Sequence, residues 1–363
     1  MYLPKFTITG EILRNVGAIE AAKEVIENAP LVPAFEAKFR DDAALRSAHY
    51  GTALEGNDLT LAQAKLILDE EMTQVDQAET LGLVARERDV QEVINYRQVM
   101  EYLDKVQGAV VNYAQEELLE LHKLVVNRLV AEGLAGRFRK TQVVLKNSVT
   151  GEVGLRPPNW AEVPYLMQDF FDWLNSTAGK KEHPVIRAAI AHYVLAAVHP
   201  FVEGNGRTAR AFATMILFTE GYDIKRFFAL EEYFDQHADE YYGSLMEVSN
   251  QSPLLKDRDL TPWLAVFTRA LAVELSRIKE KVRALSVDMK MKQNTGQQIA
   301  LTERQMKIVE YIQANNEISM SEARKILSMV SEDTILRDLR YLLEKKVLLK
   351  RGSTKAAKYG LKK

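Results

Sequence analysis

The stretch His199-Pro200-Phe201-Val202-Glu203-Gly204-Asn205-Gly206-Arg207-Thr208-Ala209-Arg210 decides how this chain reads. An apolar helical pattern rises to it through Ile186, Ile190, Tyr193, Val194 and Ala197, and another leaves it through Phe212, Met215 and Ile216. Pro200 cannot continue an α-helix, so the first helix ends near His199. Gly204 and Gly206 carry no Cβ, which lets the backbone turn sharply and come close to a ligand. The segment reads as helix, tight loop, helix, the second helix opening near Asn205.

The residue types in that loop suit nucleotide phosphates. The N–H groups that open a helix lack intrahelical partners and carry partial positive charge, which makes them a site for a diphosphate. Arg207 and Arg210 are three apart, neighbours on one helical face, and their planar forks match phosphate oxygens. Glu203 offers a hard oxygen ligand just before the anion site, where Mg²⁺ could also bridge phosphates. His199, with an ordinary pKa of about 6.5, is suited to take a proton from an attacking hydroxyl near neutral pH.

On those residues the segment resembles the signature of the Fic (Fido-fold) family, a histidine–x–phenylalanine–x–acidic–GNGR–x–x–arginine pattern, at every fixed position. The resemblance implies a protein adenylyltransferase that passes AMP from ATP to a Ser, Thr or Tyr hydroxyl of a protein target. It implies that His199 deprotonates that hydroxyl and that Glu203 coordinates Mg²⁺. Asn205 and the backbone of Gly204 and Gly206 are then expected to hold the α- and β-phosphates. Arg207 is expected to clamp the β-phosphate and Arg210 the γ-phosphate, with Phe201 as an apolar anchor beneath the loop.

A second segment, Ser47-Ala48-His49-Tyr50-Gly51-Thr52-Ala53-Leu54-Glu55-Gly56-Asn57, places Leu45, Ala48, Thr52 and Glu55 at three- and four-residue spacing. Gly56-Asn57 is suitable chemistry for a helix C-terminus. Many Fic proteins carry a similar Ser/Thr–x–x–x–Glu–Gly/Asn inhibitory helix. By that resemblance Glu55 pairs with Arg210 and holds the enzyme idle, within a helix near residues 44–56. The chain departs from the pattern at its first position, which is Gly51.

Residues 137–146 alternate toward a strand, 147–152 have turn composition, and 153–156 read as a returning strand. Fic proteins have a similar hairpin, the flap, which pairs with the target's backbone. Gly151, Glu152, Val153, Gly154, Leu155 and Arg156 are the segment expected to do so. Tyr241 and Tyr242 fall where the family often has a tyrosine pair near adenine, and a half-buried structural pair is the equal alternative. His49, His122, His183, His192 and His237 have no ligand-like spacing, and His192 reads as a core histidine.

Composition agrees with this reading. The chain has 363 residues, a net charge of −2 and no cysteine, so disulfides, thiolate zinc sites and a cysteine nucleophile are excluded, and no bias toward membranes appears. The opening residues have neither signal-peptide nor spanning character, and a cytoplasmic location is expected. Helical periodicity is readable at about 61–72, 90–106, 114–129, 160–175, 183–198, 205–220, 228–248 and 261–288. The expected plan is an N-terminal helical region over 1–110, a catalytic core over 111–289 and a polar linker over 290–300.

The tail, 301–363, reads as three short helices and a hairpin. Thr302 and Ser331 are candidate N-caps, and Val347-Leu348-Leu349 and Lys358-Tyr359-Gly360-Leu361 flank a turn. This order resembles a winged helix-turn-helix. The segment holds 14 Lys+Arg against 8 Asp+Glu, a local excess of six. Thr334, Arg337 and Arg340 on the expected recognition helix, with Lys350, Arg351 and Lys355 in the wing, are candidate DNA contacts. Glu332 and Asp333 open that helix and oppose phosphate, so a protein-docking role stays open.

The fold class expected is all-α, a Fic bundle with a short β-hairpin followed by a small winged helix. The function expected is protein AMP transfer, with ATP as substrate, Mg²⁺ as cofactor, a protein target that includes the chain itself as a candidate, and a homodimer as a candidate assembly. The alternative is a DNA-binding regulator that uses nucleotide binding or self-modification as control. A different donor, or removal of AMP, also remains open.

Overall fold

A computed structural model describes residues 2–29, 31, 33–106, 112–146, 153–155, 157–285, 301–328, 330–352 and 357–361. The helices are α1 Gly10–Glu27, α2 Pro33–Ala53, α3 Leu61–Asp69, α4 Gln77–Thr80, α5 Glu87–Lys105, α6 Gln115–Val125, α7 Val163–Asn175, α8 Thr177–Lys181, α9 Pro184–Val198 and α10 Asn205–Thr219. They continue as α11 Leu230–Gln236, α12 Ala238–Asn250, α13 Thr261–Leu285, α14 Glu303–Asn315, α15 Met320–Ile326 and α16 Glu332–Glu344. The strands are β1 Leu145–Lys146, β2 Val153–Leu155, β3 Glu317–Ser319, β4 Leu348–Arg351 and β5 Lys358–Leu361. The chain divides into two compact units, residues 1–23 with 42–276, and residues 24–41 with 277–363.

The first unit is built around α9 and α10. Both are buried over nearly their whole length, and the polar groups they carry, Arg187 and His192 on α9 and Arg207 and Arg210 on α10, are buried with them. Pro184 opens α9 at a position where a missing N–H is harmless, and the His183 ring accepts from the Val185 N–H. Large rings from neighbouring helices complete the core: Phe170 and Trp173 of α7, Phe212 of α10, and Trp263 and Phe267 of α13 are each 2% exposed or less. The Trp263 indole donates to the Ala189 carbonyl (2.7 Å), which satisfies its one polar group inside the bundle. Among the described residues no helix is long and apolar enough to cross a membrane.

Several expected boundaries move. The helix expected near 44–56 is the end of the longer α2, and Glu55 lies in the turn beyond it, where Gly56 takes φ +88°. The single helix expected over 228–248 breaks at His237 (φ −125°, ψ 42°) into α11 and α12. The expected strand from residue 137 shrinks to β1, because Arg139 is drawn into main-chain contacts away from any ladder. β1 and β2 pair antiparallel, with Leu145 opposite Leu155. Gly151, Glu152 and Arg156 lie outside the described residues, as do the expected linker, Lys355 and residues 286–288.

The second unit holds α14, α15 and α16 with an antiparallel sheet in the order β3-β5-β4. Thr302, Ser319 and Ser331 each cap the following helix by accepting a backbone N–H, two of them in full capping boxes. Ile308, Ile312, Ile318, Ile335 and Leu342 form its core, joined by Phe35. β3 was not expected; Ile318 pairs with Tyr359 and widens the wing to three strands. Arg337 and Arg340 are exposed on α16, and Thr334 is half-buried and accepts from Arg337 (3.3 Å). Arg324 lies 3.2 Å from Glu332 and offsets one of the two carboxylates that open the helix.

Candidate active site

The loop between α9 and α10 brings the signature residues together. His199 closes α9 in the left-handed conformation (φ 52°, ψ 59°), an uncommon one for a residue with a Cβ. Its Nδ1–H donates to the Ala196 carbonyl (3.3 Å), which leaves Nε2 with a free lone pair. Burial lowers its pKa from 6.5 to about 4; the Ala196 carbonyl and Glu55 pull the other way, and the Arg139 charge adds to the lowering. The imidazole is therefore neutral at pH 7, the state a base requires.

The loop beneath is braced from within. Phe201 is buried and stacks on His122, with ring centroids 3.7 Å apart. Gly136 N–H donates to His122 Nδ1 (2.9 Å), so Nε2–H donates to the Glu203 carbonyl (3.0 Å). Burial holds His122 neutral as well, lowering its pKa to about 4. Asn205 uses its whole amide on Phe201, accepting from the backbone N–H and donating to the carbonyl, both at 2.9 Å. Gly204 takes φ +74°, and a Cβ there would collide with Val126.

Both arginines are almost fully buried. Arg210 Nη2 donates to the Gly51 carbonyl (2.8 Å) and to Glu55 Oε1 (2.9 Å), and Nη1 reaches the Tyr241 hydroxyl at 3.4 Å. Burial would raise the Glu55 carboxyl, but Arg210 and Arg207 outweigh it and hold the pKa below the usual range. A Cβ on Gly206 would overlap the Glu55 carboxylate, so that carboxylate lies directly over the opening of α10. Gly51 has its own explanation: a side chain there would meet the Tyr96 ring at 2.9 Å. Arg207 Nη1 lies 3.2 Å from Glu92, yet neither it nor Nε makes a hydrogen bond among the described residues. Buried donors left open in this way suit an absent anion.

Glu203, at the rim, pairs with Arg88 and lies 3.5 Å from Arg207. Glu92, buried, lies 3.3 Å from Arg88 and accepts from Asn57 (2.9 Å). Among the described residues no group of three or more His, Cys, Asp or Glu could hold a metal ion. Mg²⁺ is commonly held by one or two carboxylates together with substrate phosphates, and Glu203 fits that arrangement. The tyrosine pair separates. Tyr241 is buried between Arg210 and His192, while Tyr242 is 43% exposed and donates to the Leu54 carbonyl (2.8 Å). His192 stacks on Trp263 (4.7 Å) as a core ring. The roles of His122, Arg139, Arg88 and Glu92 were not expected, since their partners are distant in sequence and no spacing announces them.

Comparison with known proteins agrees with this geometry. Residues 112–217 match the Fic/DOC family, and residues 304–355 match the DeoR-like helix-turn-helix domain. The first match makes residues 112–217 similar to the Fic/DOC family. Over 184 residues it is 34% identical to proteins named protein adenylyltransferase Fic from Drosophila willistoni and Drosophila melanogaster, a match covering 50% of this chain. The chain spans about a third of the length of those relatives (34%). The fold is that of a Fic family protein from Desulfovibrio desulfuricans, with a TM-score of 0.62 at 24% identity over 99% of this chain and 98% of that one. A Fic domain protein from Bacteroides thetaiotaomicron gives 0.61 at 22% identity, covering 76% and 97%.

Proposed function

We propose that the chain is a protein adenylyltransferase that moves AMP from ATP to a Ser, Thr or Tyr hydroxyl of a protein, held idle by Glu55 on Arg210. The observation that carries this reading is a neutral histidine with a free Nε2 beside two buried arginines and a helix N-terminus. His199 Nε2 accepts the proton as the target oxygen attacks the α-phosphorus. The new P–O bond forms in line with the bond to the β-phosphate, which breaks, and its electrons leave with pyrophosphate. The backbone N–H groups opening α10 and the forks of Arg207 and Arg210 stabilise the charge on the phosphates. Glu203 would hold Mg²⁺, whose chemistry is to neutralise phosphate charge. Tyr242, at the surface beside Leu54, would flank the adenine, with Tyr241 supporting Arg210 from behind. Transfer of α-labelled AMP by wild type, His199→Ala and Glu55→Gly tests this reading. Label that vanishes in the first variant and rises in the second is expected; no label in any of the three, with ATP bound, overturns it.

A second reading concerns the other unit. The DeoR-like match and the exposed Arg337 and Arg340 support binding to duplex DNA. Retardation of a duplex at low salt, lost in Arg337→Ala/Arg340→Ala, is expected, and no retardation by wild type discards it.

A further inference from the structure

Arg139 lies outside the signature and before the hairpin, yet it is 2% exposed. Its guanidinium meets four main-chain carbonyls and, among the described residues, no carboxylate. Nε donates to His199 (2.8 Å), Nη1 to Thr141 (3.1 Å), and Nη2 to Pro158 (2.7 Å) and Val198 (3.4 Å). Its backbone N–H donates to the Pro200 carbonyl (2.8 Å). Two of the carbonyls that accept from the guanidinium therefore lie where α9 ends and the catalytic loop begins, and the other two in the segments that enter β1 and leave β2. Gln142 strengthens the second pair, its amide donating to Pro157 (3.0 Å) and, more weakly, to Pro158 (3.4 Å).

A transferase of this kind has to solve a positioning problem. If the target pairs with the hairpin as an added strand, the hairpin sets where its hydroxyl lies. The base is set independently, by the left-handed turn at His199. Rate depends on the two agreeing to within a fraction of an ångström. We propose that Arg139 is the positioning residue that joins them, one buried fork holding the His199 backbone and both hairpin stems in a single frame. Only a planar group with several donors reaches both sides at once; a lysine keeps the charge and loses the fork. This inference rests on the reading of the site as an AMP transferase.

The test compares Arg139→Lys with its parent in a Glu55→Gly background, by hydrogen exchange and by self-labelling with α-labelled ATP. Amide exchange is expected to rise together in residues 141–146 and 198–204 and to stay unchanged in α7. The kcat for transfer should fall by about a hundredfold while the affinity for ATP stays within about twofold. Exchange that rises in only one of the two segments, or everywhere, overturns the proposal, as does a kcat that stays within about twofold of the parent. The exchange result stands even if neither protein transfers AMP, an outcome that would overturn the functional reading alone. Should Arg139→Lys not fold, Gln142→Ala disturbs only the exposed stems. It is expected to raise exchange at 198–201 as well, and unchanged exchange there overturns the proposal.

Discussion

Glu55→Gly removes the carboxylate that lies over the N-terminus of α10. With it goes one charge-assisted hydrogen bond of 2.9 Å to a guanidinium that is itself almost fully buried. Such a bond is worth about 1.5–3 kcal/mol. The roughly 3–5 kcal/mol of a fully buried pair does not apply, because the Glu55 side chain is 31% exposed. If binding a nucleotide productively means breaking this bond, its removal raises transfer at low ATP by about 10- to 100-fold, at about 1.4 kcal/mol per factor of ten. Glu55→Gln keeps an oxygen for Arg210 but no charge, and a gain of only a few-fold is expected. Stability should move oppositely: with Arg210 left without its counter-ion, Glu55→Gly is expected to unfold more easily by about 1–2 kcal/mol. Initial rates of labelled AMP incorporation and a urea titration measure both. Rates ordered Gly above Gln above wild type, with stabilities in reverse, fit the argument. Two variants no faster than wild type would refute it.

Three further outcomes follow from neighbouring contacts. Gly206→Ala displaces the end of the Glu55 side chain but also crowds the phosphate site. Transfer is expected to rise in the wild-type background and fall in the Glu55→Gly background; the same sign in both would show that the carboxylate does not sit there in solution. Arg88→Ala frees the Glu203 carboxylate, and the Mg²⁺ concentration giving half-maximal transfer should drop several-fold, whereas an unchanged requirement would mean that Arg88 does not compete. Burial lowers the pKa of His122 and His199 to about 4 and of His192 to about 3. Protons then bind the unfolded chain in preference, so stability is full above about pH 6.5 and falls as pH drops toward those values. At pH 5 the three cost about 6 kcal/mol together. His192→Phe should remove about a third of that slope in denaturation midpoints taken from about pH 7 to 5, and an undiminished slope would place its origin elsewhere.

What could be read from the sequence was local. Pro200, two glycines and two arginines three apart carry their geometry within one turn of helix, and α9 ends and α10 begins about where they indicate. The capping threonine and serine residues of the second unit are equally local. The features that escaped such a reading all depend on partners far along the chain. Nothing near His122 indicates that its ring has Gly136 on one nitrogen and Glu203 on the other. The break at His237 is marked by neither proline nor glycine, so periodicity runs through it. Residues 137–144 alternate like a strand, but three carbonyl contacts of Arg139 at 3.1 Å or closer decide their path instead. Gly51, a departure when set against the resemblance, has its reason in Tyr96, whose ring fills the space a side chain would need.

The site in this state also explains why it can exist without nucleotide. Buried guanidiniums left without counter-charge are costly, and a carboxylate facing a helix N-terminus needs no other partner. Each charged side chain proposed for ATP or Mg²⁺ has an internal partner: Glu55 faces Arg210, Glu92 faces Arg207, and Arg88 faces Glu203. On the proposed function, binding of ATP with Mg²⁺ would be an exchange of counter-ions: Arg210 would pass from the Glu55 carboxylate to phosphate oxygens, and Glu203 from the Arg88 guanidinium to the metal. An exchange keeps the charge of the site nearly constant, so its free energy is small and its direction can be set by modest changes at either substitute. Glu92 differs from the other two because Asn57 also donates to it, which ties Arg207 to the segment just beyond Glu55. A displacement of that segment therefore reaches both phosphate-facing arginines at once, Arg210 through Glu55 and Arg207 through Glu92.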